Sequence, residues 1–260
     1  NYIYTNFILH PLLEKSKRIL VTSPNYLAGS DILQKYKNKI TVVPYSVDLK
    51  LFRLNDKNRK LLSKLKTKYR NKKILLFVGR LIPYKGLKFL INAMPGILQK
   101  FNAVKLLIVG DGPLKQELME LVDELGVTDF VDFIGDIHNE NLPPYYHLCD
   151  IFVLPSTYKA EAFGIVQLEA MACGKPVVST NVHGSGITFV NKKNQTGLIV
   201  EPKNSKQLAN AIVKLLNAKY LQRKFGNKGK LRVKKFFSKP IMVQNILYVY
   251  NSILRRQKAS

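Results

Sequence analysis

Ile151-Phe-Val-Leu-Pro155-Ser-Thr-Tyr-Lys-Ala-Glu161-Ala-Phe163-Gly164-Ile165-Val-Gln167-Leu-Glu169-Ala-Met-Ala-Cys173-Gly174-Lys-Pro176-Val-Val-Ser179 reads as strand, loop, helix and strand in one run. Residues 151–154 are a short apolar stretch that stops at Pro155, as a buried strand does, and Gly164 opens a series of helix formers. Two carboxylates stand eight positions apart here, Glu161 in the strand-to-helix loop and Glu169 on the helix. On a helical wheel Ile165, Leu168, Ala172 and Cys173 share a side with Glu169, and Gln167 points the opposite way. A charge buried without partners is costly, so Glu169 is expected to look into a cleft where it meets hydroxyls or a cation. A structural ion pair is the plainer alternative. The amides of Phe163, Gly164 and Ile165 would be free donors at the helix N-terminus, a position that favours a phosphate.

Outward from this run the same alternation recurs. Residues 74–78 and 105–109 are continuous apolar strands, further strands are expected near 131–134, 151–154, 176–179 and 198–200, and helical patterns such as 87–101 lie between most of them. The predicted fold class is α/β with a doubly wound, parallel, Rossmann-like sheet. Ligands of such sheets sit at the carboxyl ends of the strands, where Gly79-Arg80, Gly110-Asp-Gly112, residues 135–137 and the loop 156–164 all fall. Before this region, residues 1–48 read as a helix or two, a strand over 18–22, a helix over 29–36 and a strand over 40–43, elements with no room for a sheet of their own. Residues 236–254 are apolar and aromatic at helical spacing.

Composition bounds the partners. The chain of 260 residues is 46% apolar, enough for one good core and part of another, and no apolar run reaches membrane-spanning length. It opens at Asn1 without a leader-like pattern, so a fragment of a longer protein is expected. Cys149 and Cys173 lie in apolar stretches, which suggests neither a disulfide framework nor a thiol metal site and fits a cytoplasmic protein. The net charge of +25 is concentrated, with nine basic residues over 57–73 and seven over 223–235. Such blocks attract nucleotide diphosphates, anionic lipid or nucleic acid, or are simply solvated helix faces. Nucleic acid is not expected, because no aromatic-basic interleaving or nucleic-acid motif is present.

In this context the sequence resembles glycosyltransferase family 4 (group 1), retaining sugar transferases of the GT-B fold with a Glu-x7-Glu motif after a Pro-Ser strand end. Glu161, Phe163, Gly164 and Glu169 match that motif, and the likeness extends to Val78-Gly-Arg80-Leu-Ile-Pro-Tyr-Lys85-Gly86 and Thr196-Gly-Leu-Ile-Val200. The resemblance implies the C-terminal, donor-binding half of a GT-B fold over 49–235, preceded by the tail of the acceptor-side domain over 1–48 and followed by a crossing helix over 236–260. It implies Arg80 and Lys85 on the donor diphosphate, Ile137 against the base, Glu169 on the ribose hydroxyls, and Glu161 beside the transferred sugar as a positioning and electrostatic group rather than a nucleophile. Gly86 would let the chain turn close to the ligand. The implied donor is a UDP- or GDP-sugar, the acceptor a glycan or lipid-linked glycan, and the working place the inner face of the cell membrane.

No cofactor and no metal are expected: the four histidines show no ligand spacing, and there is no Asp-x-Asp pair to hold a metal on a nucleotide diphosphate. Gly110-Asp-Gly-Pro113 reads chiefly as a turn. Where many relatives have Gly-x-Pro-Glu this chain has Gly186-Ile-Thr-Phe189. The rival readings are a GT-B sugar-nucleotide epimerase and a non-catalytic sugar-nucleotide-binding or membrane-surface module.

Overall fold

The computed structural model describes residues 4–258. β1 (Ile19–Val21) and β2 (Ile40–Val42) pair in parallel as a two-stranded sheet, with Ile19 opposite Ile40. The expectation that residues 1–48 lack room for a sheet is therefore wrong. The connection between these strands is long enough for a parallel crossover. It holds two helices, Pro24–Ala28 and Asp31–Gln34, where one was expected over 29–36. Gly29 ends the first, and Ser23 and Ser30 each start one by accepting a hydrogen bond from a backbone amide three residues on.

The second sheet has six strands: β3 (Lys73–Val78), β4 (Val104–Val109), β5 (Val131–Gly135), β6 (Ile151–Leu154), β7 (Val177–Thr180) and β8 (Gly197–Val200). They lie in the order β5-β4-β3-β6-β7-β8, and every neighbouring pair is parallel. The chain winds outward from β3 through β4 to β5, then returns to β3's other side as β6. The strand order thus reverses between β3 and β6, the place at whose carboxyl ends such sheets bind their ligands.

Strands buried on both faces explain the unbroken apolar runs. Along β3, Leu75 and Phe77 face a core shared with the helices Leu87–Ile91, Met94–Leu98, Lys115–Glu124 and Ser205–Asn217, while Ile74, Leu76 and Val78 face one shared with Asp56–Lys68, Pro143–Leu148 and Ile165–Ala172. The predicted helix over 87–101 is two short ones. Pro95, which cannot donate a backbone hydrogen bond, sits in the first turn of the second. The C-terminal pattern divides as well. The helix Lys219–Phe236 ends in Phe237, which is core, and Ser238 pairs with Val47 before the last helix, Lys239–Lys258.

Both basic blocks lie toward the same layer. The helix Asp56–Lys68 packs on Pro143–Leu148, and Lys219–Phe236 packs on Ile165–Ala172, with Gly226 against the Gly174 carbonyl. Lys175 of that turn donates to the His147 carbonyl at 2.9 Å. Burial, with the charges of Lys175, Lys230 and Lys66, lowers the His147 pKa against a hydrogen bond to Phe52 that raises it. The helix Lys115–Glu124, with Glu117, Glu120, Asp123 and Glu124, belongs to the other layer. Among the described residues no helix is long and apolar enough to cross a membrane.

Candidate active site

The loops that leave β3 and β6 are clipped together. Thr157 donates its amide to the Tyr84 carbonyl at 2.8 Å, and Gly86, at φ +68°, lies so close to Pro155 that a Cβ on it would stand 2.1 Å from the Pro155 carbonyl oxygen. Gly86 therefore serves the approach of two loops, whereas the sequence suggested an approach to ligand. The clip brings Lys85 to Glu161: Nζ donates to Oε2 at 2.6 Å, and both side chains are nearly buried, with 13% and 10% exposure. Ser156, fully buried, donates to the same oxygen at 3.1 Å.

The Glu161 loop is fixed from behind. Thr180 Oγ1 donates to the Ser156 carbonyl, Ser185 Oγ donates to the Glu161 carbonyl, and the Gly186 amide donates to Ala162. Phe163 turns its ring into the core against Tyr45 and Phe237, so its backbone alone is left for a ligand. Among the described residues the amides of Phe163, Gly164 and Ile165 have no hydrogen-bond partner at the start of the helix Ile165–Ala172.

The helical wheel failed on this helix. Gln167 is completely buried, its Nε2 donating to the carbonyls of Gly164 and Ile187, while Ile165 is exposed at the helix start. A helix wrapped by β6, β7 and the helix Lys219–Phe236 has little solvent face left, so even a polar side chain such as Gln167 is enclosed. Glu169 is half-buried and accepts the Tyr146 hydroxyl at 2.5 Å. Burial raises its pKa, and the Tyr146 hydrogen bond works against that rise.

Arg80 is exposed and lines a pocket of about 370 Å³ with Gly79, Gly110, Asp111, Asp136, Ile137, Asn139 and Leu142. This is the mouth of β3, β4 and β5, and Ile137 forms part of its apolar wall. Gly110 and Gly112 are required by close backbone approaches to Gly79 and Leu81, and Gly110 and Asp111 also border the pocket. Arg80 and Ile137 thus share this pocket, and Lys85, whose side chain passes Gly79 on its wall, is joined to Glu161. A larger, apolar groove of about 510 Å³ lies beside Pro83, Tyr84, Leu87, Phe89 and Tyr158 and holds none of the predicted site residues. No cluster of three or more His, Cys, Asp or Glu side chains suited to a metal occurs among the described residues.

Sequence reasoning missed Ser156 and Tyr146. Ser156 carried a signal, a hydroxyl at a strand end five residues before a loop carboxylate. Tyr146 carried none, because its short helix reads as ordinary core.

The family model described as Glycosyl transferases group 1 matches residues 58–232. The chain belongs to this family. Within the group 1 glycosyl transferases it is 29% identical over 236 residues to the O-antigen chain mannosyltransferase C of Escherichia coli, covering 91% of this chain and 61% of that protein. It is 34% identical over 181 residues to the GDP-mannose-dependent alpha-(1-6)-phosphatidylinositol monomannoside mannosyltransferase of Mycobacterium tuberculosis, 67% of this chain and 46% of that one. Among solved structures it is similar to the sucrose-phosphate synthase of Thermosynechococcus elongatus, with a TM-score of 0.81, 30% identity, and 96% of this chain against 61% of that one. The parallel sheets are thus those of a GT-B glycosyltransferase. The chain spans less than two thirds of the length of these relatives.

Proposed function

We propose that this chain is the donor-binding part of a retaining hexosyl-type glycosyltransferase that moves a sugar from a UDP- or GDP-sugar to a glycan or lipid-linked acceptor in surface polysaccharide or glycolipid synthesis. Residues 1–48 would belong to the acceptor-side domain, 49–235 to the donor domain and 236–260 to the returning helix. The observation that carries the reading is the nearly buried Lys85–Glu161 pair at the strand reversal, beside the Arg80 and Ile137 pocket.

In this reading Arg80 and Lys85 hold the donor diphosphate and offset the negative charge that grows on it as the sugar leaves, with the free amides of residues 163–165 as further donors. These fixed cations take the place a metal has in other nucleotide-sugar sites, so chelator should leave donor binding unchanged. Ile137 packs on the base and Glu169 accepts the ribose hydroxyls. Glu161, held by Lys85 and Ser156, accepts hydroxyls of the transferred sugar close to the reacting carbon, where its charge favours the developing positive charge of a front-face transfer.

The test is calorimetric titration with UDP, GDP and their sugar derivatives, repeated on Arg80→Ala and Glu169→Ala. The Mycobacterium tuberculosis relative's name specifies GDP-mannose, which puts that donor first in the series. Binding of one nucleotide that both substitutions weaken supports the reading. Equal affinity in all three proteins refutes the placement.

The basic layer favours a second role for the same protein, docking at an anionic membrane surface. Lys66 and Lys230, from the two blocks, both bear on His147, and Leu231, Leu247, Tyr248 and Tyr250 are exposed on the last two helices. Sedimentation with phosphatidylglycerol vesicles that is absent with phosphatidylcholine and reversed by salt would support this role.

A further inference from the structure

Glu169 is a lightly held carboxylate for a side chain of which little is exposed. It belongs to none of the ion pairs among the described residues, and its one hydrogen bond runs from Tyr146 to Oε2. A carboxylate has room for about four hydrogen bonds, so most of its capacity is unused. Oε1 has no protein partner, yet it is not one of the buried orphaned oxygens, which are Asn58 Oδ1 and Gln167 Oε1. That oxygen therefore keeps some contact with solvent and is free to accept a hydrogen bond.

Tyr146 is built for the opposite condition. Its side chain is fully buried, its ring is flanked by Phe52 and Phe152 at 5.7 Å between centroids, and its carbonyl accepts the Cys149 thiol. Burial and the adjacent Glu169 carboxylate push its own ionisation well above the ordinary range, so it stays a neutral phenol. A neutral phenol has one proton to give, and its direction is fixed by a ring that packing holds in place. The helix Pro143–Leu148 that carries it begins immediately after Leu142, which borders the Arg80 pocket.

We propose that Tyr146 is a positioning residue for donor recognition: by occupying Glu169 Oε2 it turns Oε1 toward the cleft and keeps it an acceptor for the vicinal hydroxyls of the donor ribose. This rests on the assignment of Glu169 to the ribose. Two consequences follow. Discrimination between ribonucleotide and dideoxynucleotide depends on Tyr146, although Tyr146 touches neither. Removing its hydrogen bond also leaves Glu169 more easily protonated. A group that must be ionised to accept hydroxyls loses its ligand as pH falls through its free-protein pKa, so that loss moves to higher pH in the variant.

The experiment compares the chain, Tyr146→Phe and Glu169→Gln for GDP and 2′,3′-dideoxy-GDP, with the UDP pair in parallel, from mildly acidic to mildly alkaline pH. The phenylalanine keeps the ring between Phe52 and Phe152, and thermal unfolding checks that each variant is folded. Expected is about tenfold weaker ribonucleotide binding by Tyr146→Phe, the loss of about one hydroxyl-to-carboxylate hydrogen bond that Glu169 no longer makes well. Dideoxynucleotide binding stays unchanged, and the acid limb of the ribonucleotide profile shifts to higher pH. Equal loss for both nucleotides would make Tyr146 a packing residue, and unchanged discrimination and pH profile would make its hydrogen bond irrelevant to binding; either overturns the proposal. If the unsubstituted chain binds nucleotide without preferring ribose, the assignment of Glu169 itself fails, and if it binds none, the donor-site reading fails with it.

Discussion

Lys85→Met tests the central pair without disturbing the shape of the loop. In the native protein the ammonium lies 2.6 Å from Glu161 Oε2 with both groups nearly out of water. At an effective dielectric of about 20 that separation corresponds to an attraction of about 6 kcal/mol, much of which offsets the desolvation of the two charges. Removing one partner is a different matter from removing both. Glu161 would remain in its buried loop with Ser156 as its one donor, and a charge stranded in this way costs about 3–5 kcal/mol. Methionine fills a similar volume, so the cost is electrostatic.

Equilibrium unfolding in urea measures it. Lys85→Met should lower stability by about 3–5 kcal/mol, and Lys85→Met/Glu161→Gln should recover a large part, giving a coupling energy well above that of an exposed pair. In the donor-site reading the single and double variants both bind nucleoside diphosphate more weakly, because neither has the ammonium. A cost of less than about 1 kcal/mol for Lys85→Met, the value for a solvated surface pair, would refute the reasoning that the cleft desolvates these charges.

Three other outcomes are expected. Gly226→Ala drives a Cβ to within 1.9 Å of the Gly174 carbonyl oxygen, so the helix Lys219–Phe236 must move off Ile165–Ala172; a loss of about 2 kcal/mol or more in urea unfolding is expected, and a neutral result would show the helix pair to be loosely packed. Asp132 is held below its ordinary pKa: burial, the largest single influence, raises it, but hydrogen bonds from Lys105 and Tyr69 and the charges of Lys105 and Lys68 together outweigh that. Its stabilising contribution is therefore full above the unfolded-state value and lost as pH falls through the lower folded one, and Asp132→Asn should flatten the acid limb of the stability profile while leaving nucleotide affinity unchanged. Arg232→Lys should cost about 1–2 kcal/mol, because the guanidinium bonds two carbonyls, Phe189 and Val190, from among the rings of Phe189, Phe236 and Phe237, a fork that a lysine cannot reproduce.

The sheet was legible because its strands are buried on both faces. Runs such as Leu75-Leu-Phe-Val78 and Ile151-Phe-Val-Leu154 have few other places to go, and all six strands of the larger sheet lie within a residue or two of the positions read from sequence. Within the candidate site, short motifs singled out Arg80, Lys85 and Glu161, but not the pairing of Lys85 with Glu161 across 76 residues. The site was not legible where a role comes from contacts made across the chain. The β1–β2 sheet depends on a crossover that local propensity does not record, and Gln167 was misplaced because the wheel assumes one solvent face where this helix is enclosed. Tyr146 stands 23 residues from Glu169, and its side chain looks apolar in sequence because only its last atom is engaged.

The same long-range logic ties the two sheets to the chemistry. The segment 182–190, which ends in the helix Ile187–Val190, holds the Glu161 loop through Ser185 and Gly186, and its other side meets the connection between β1 and β2: Gly29 packs directly on Gly184, and Asn25 donates to Thr188 at 3.0 Å. A Cβ on Gly29 would lie 2.2 Å from the Gly184 Cα, so this contact is made backbone to backbone. A second tie joins Val47, between the two sheets, to Phe237 and Ser238. Because this junction is close-packed backbone, a change at Gly29 is expected to reach residues 182–190 first and, through Ser185 and Gly186, the carbonyls of Glu161 and Ala162. Thr188 takes part in this junction through its short hydroxyl, so one segment carries both the contact with the β1–β2 unit and the hold on the Glu161 loop.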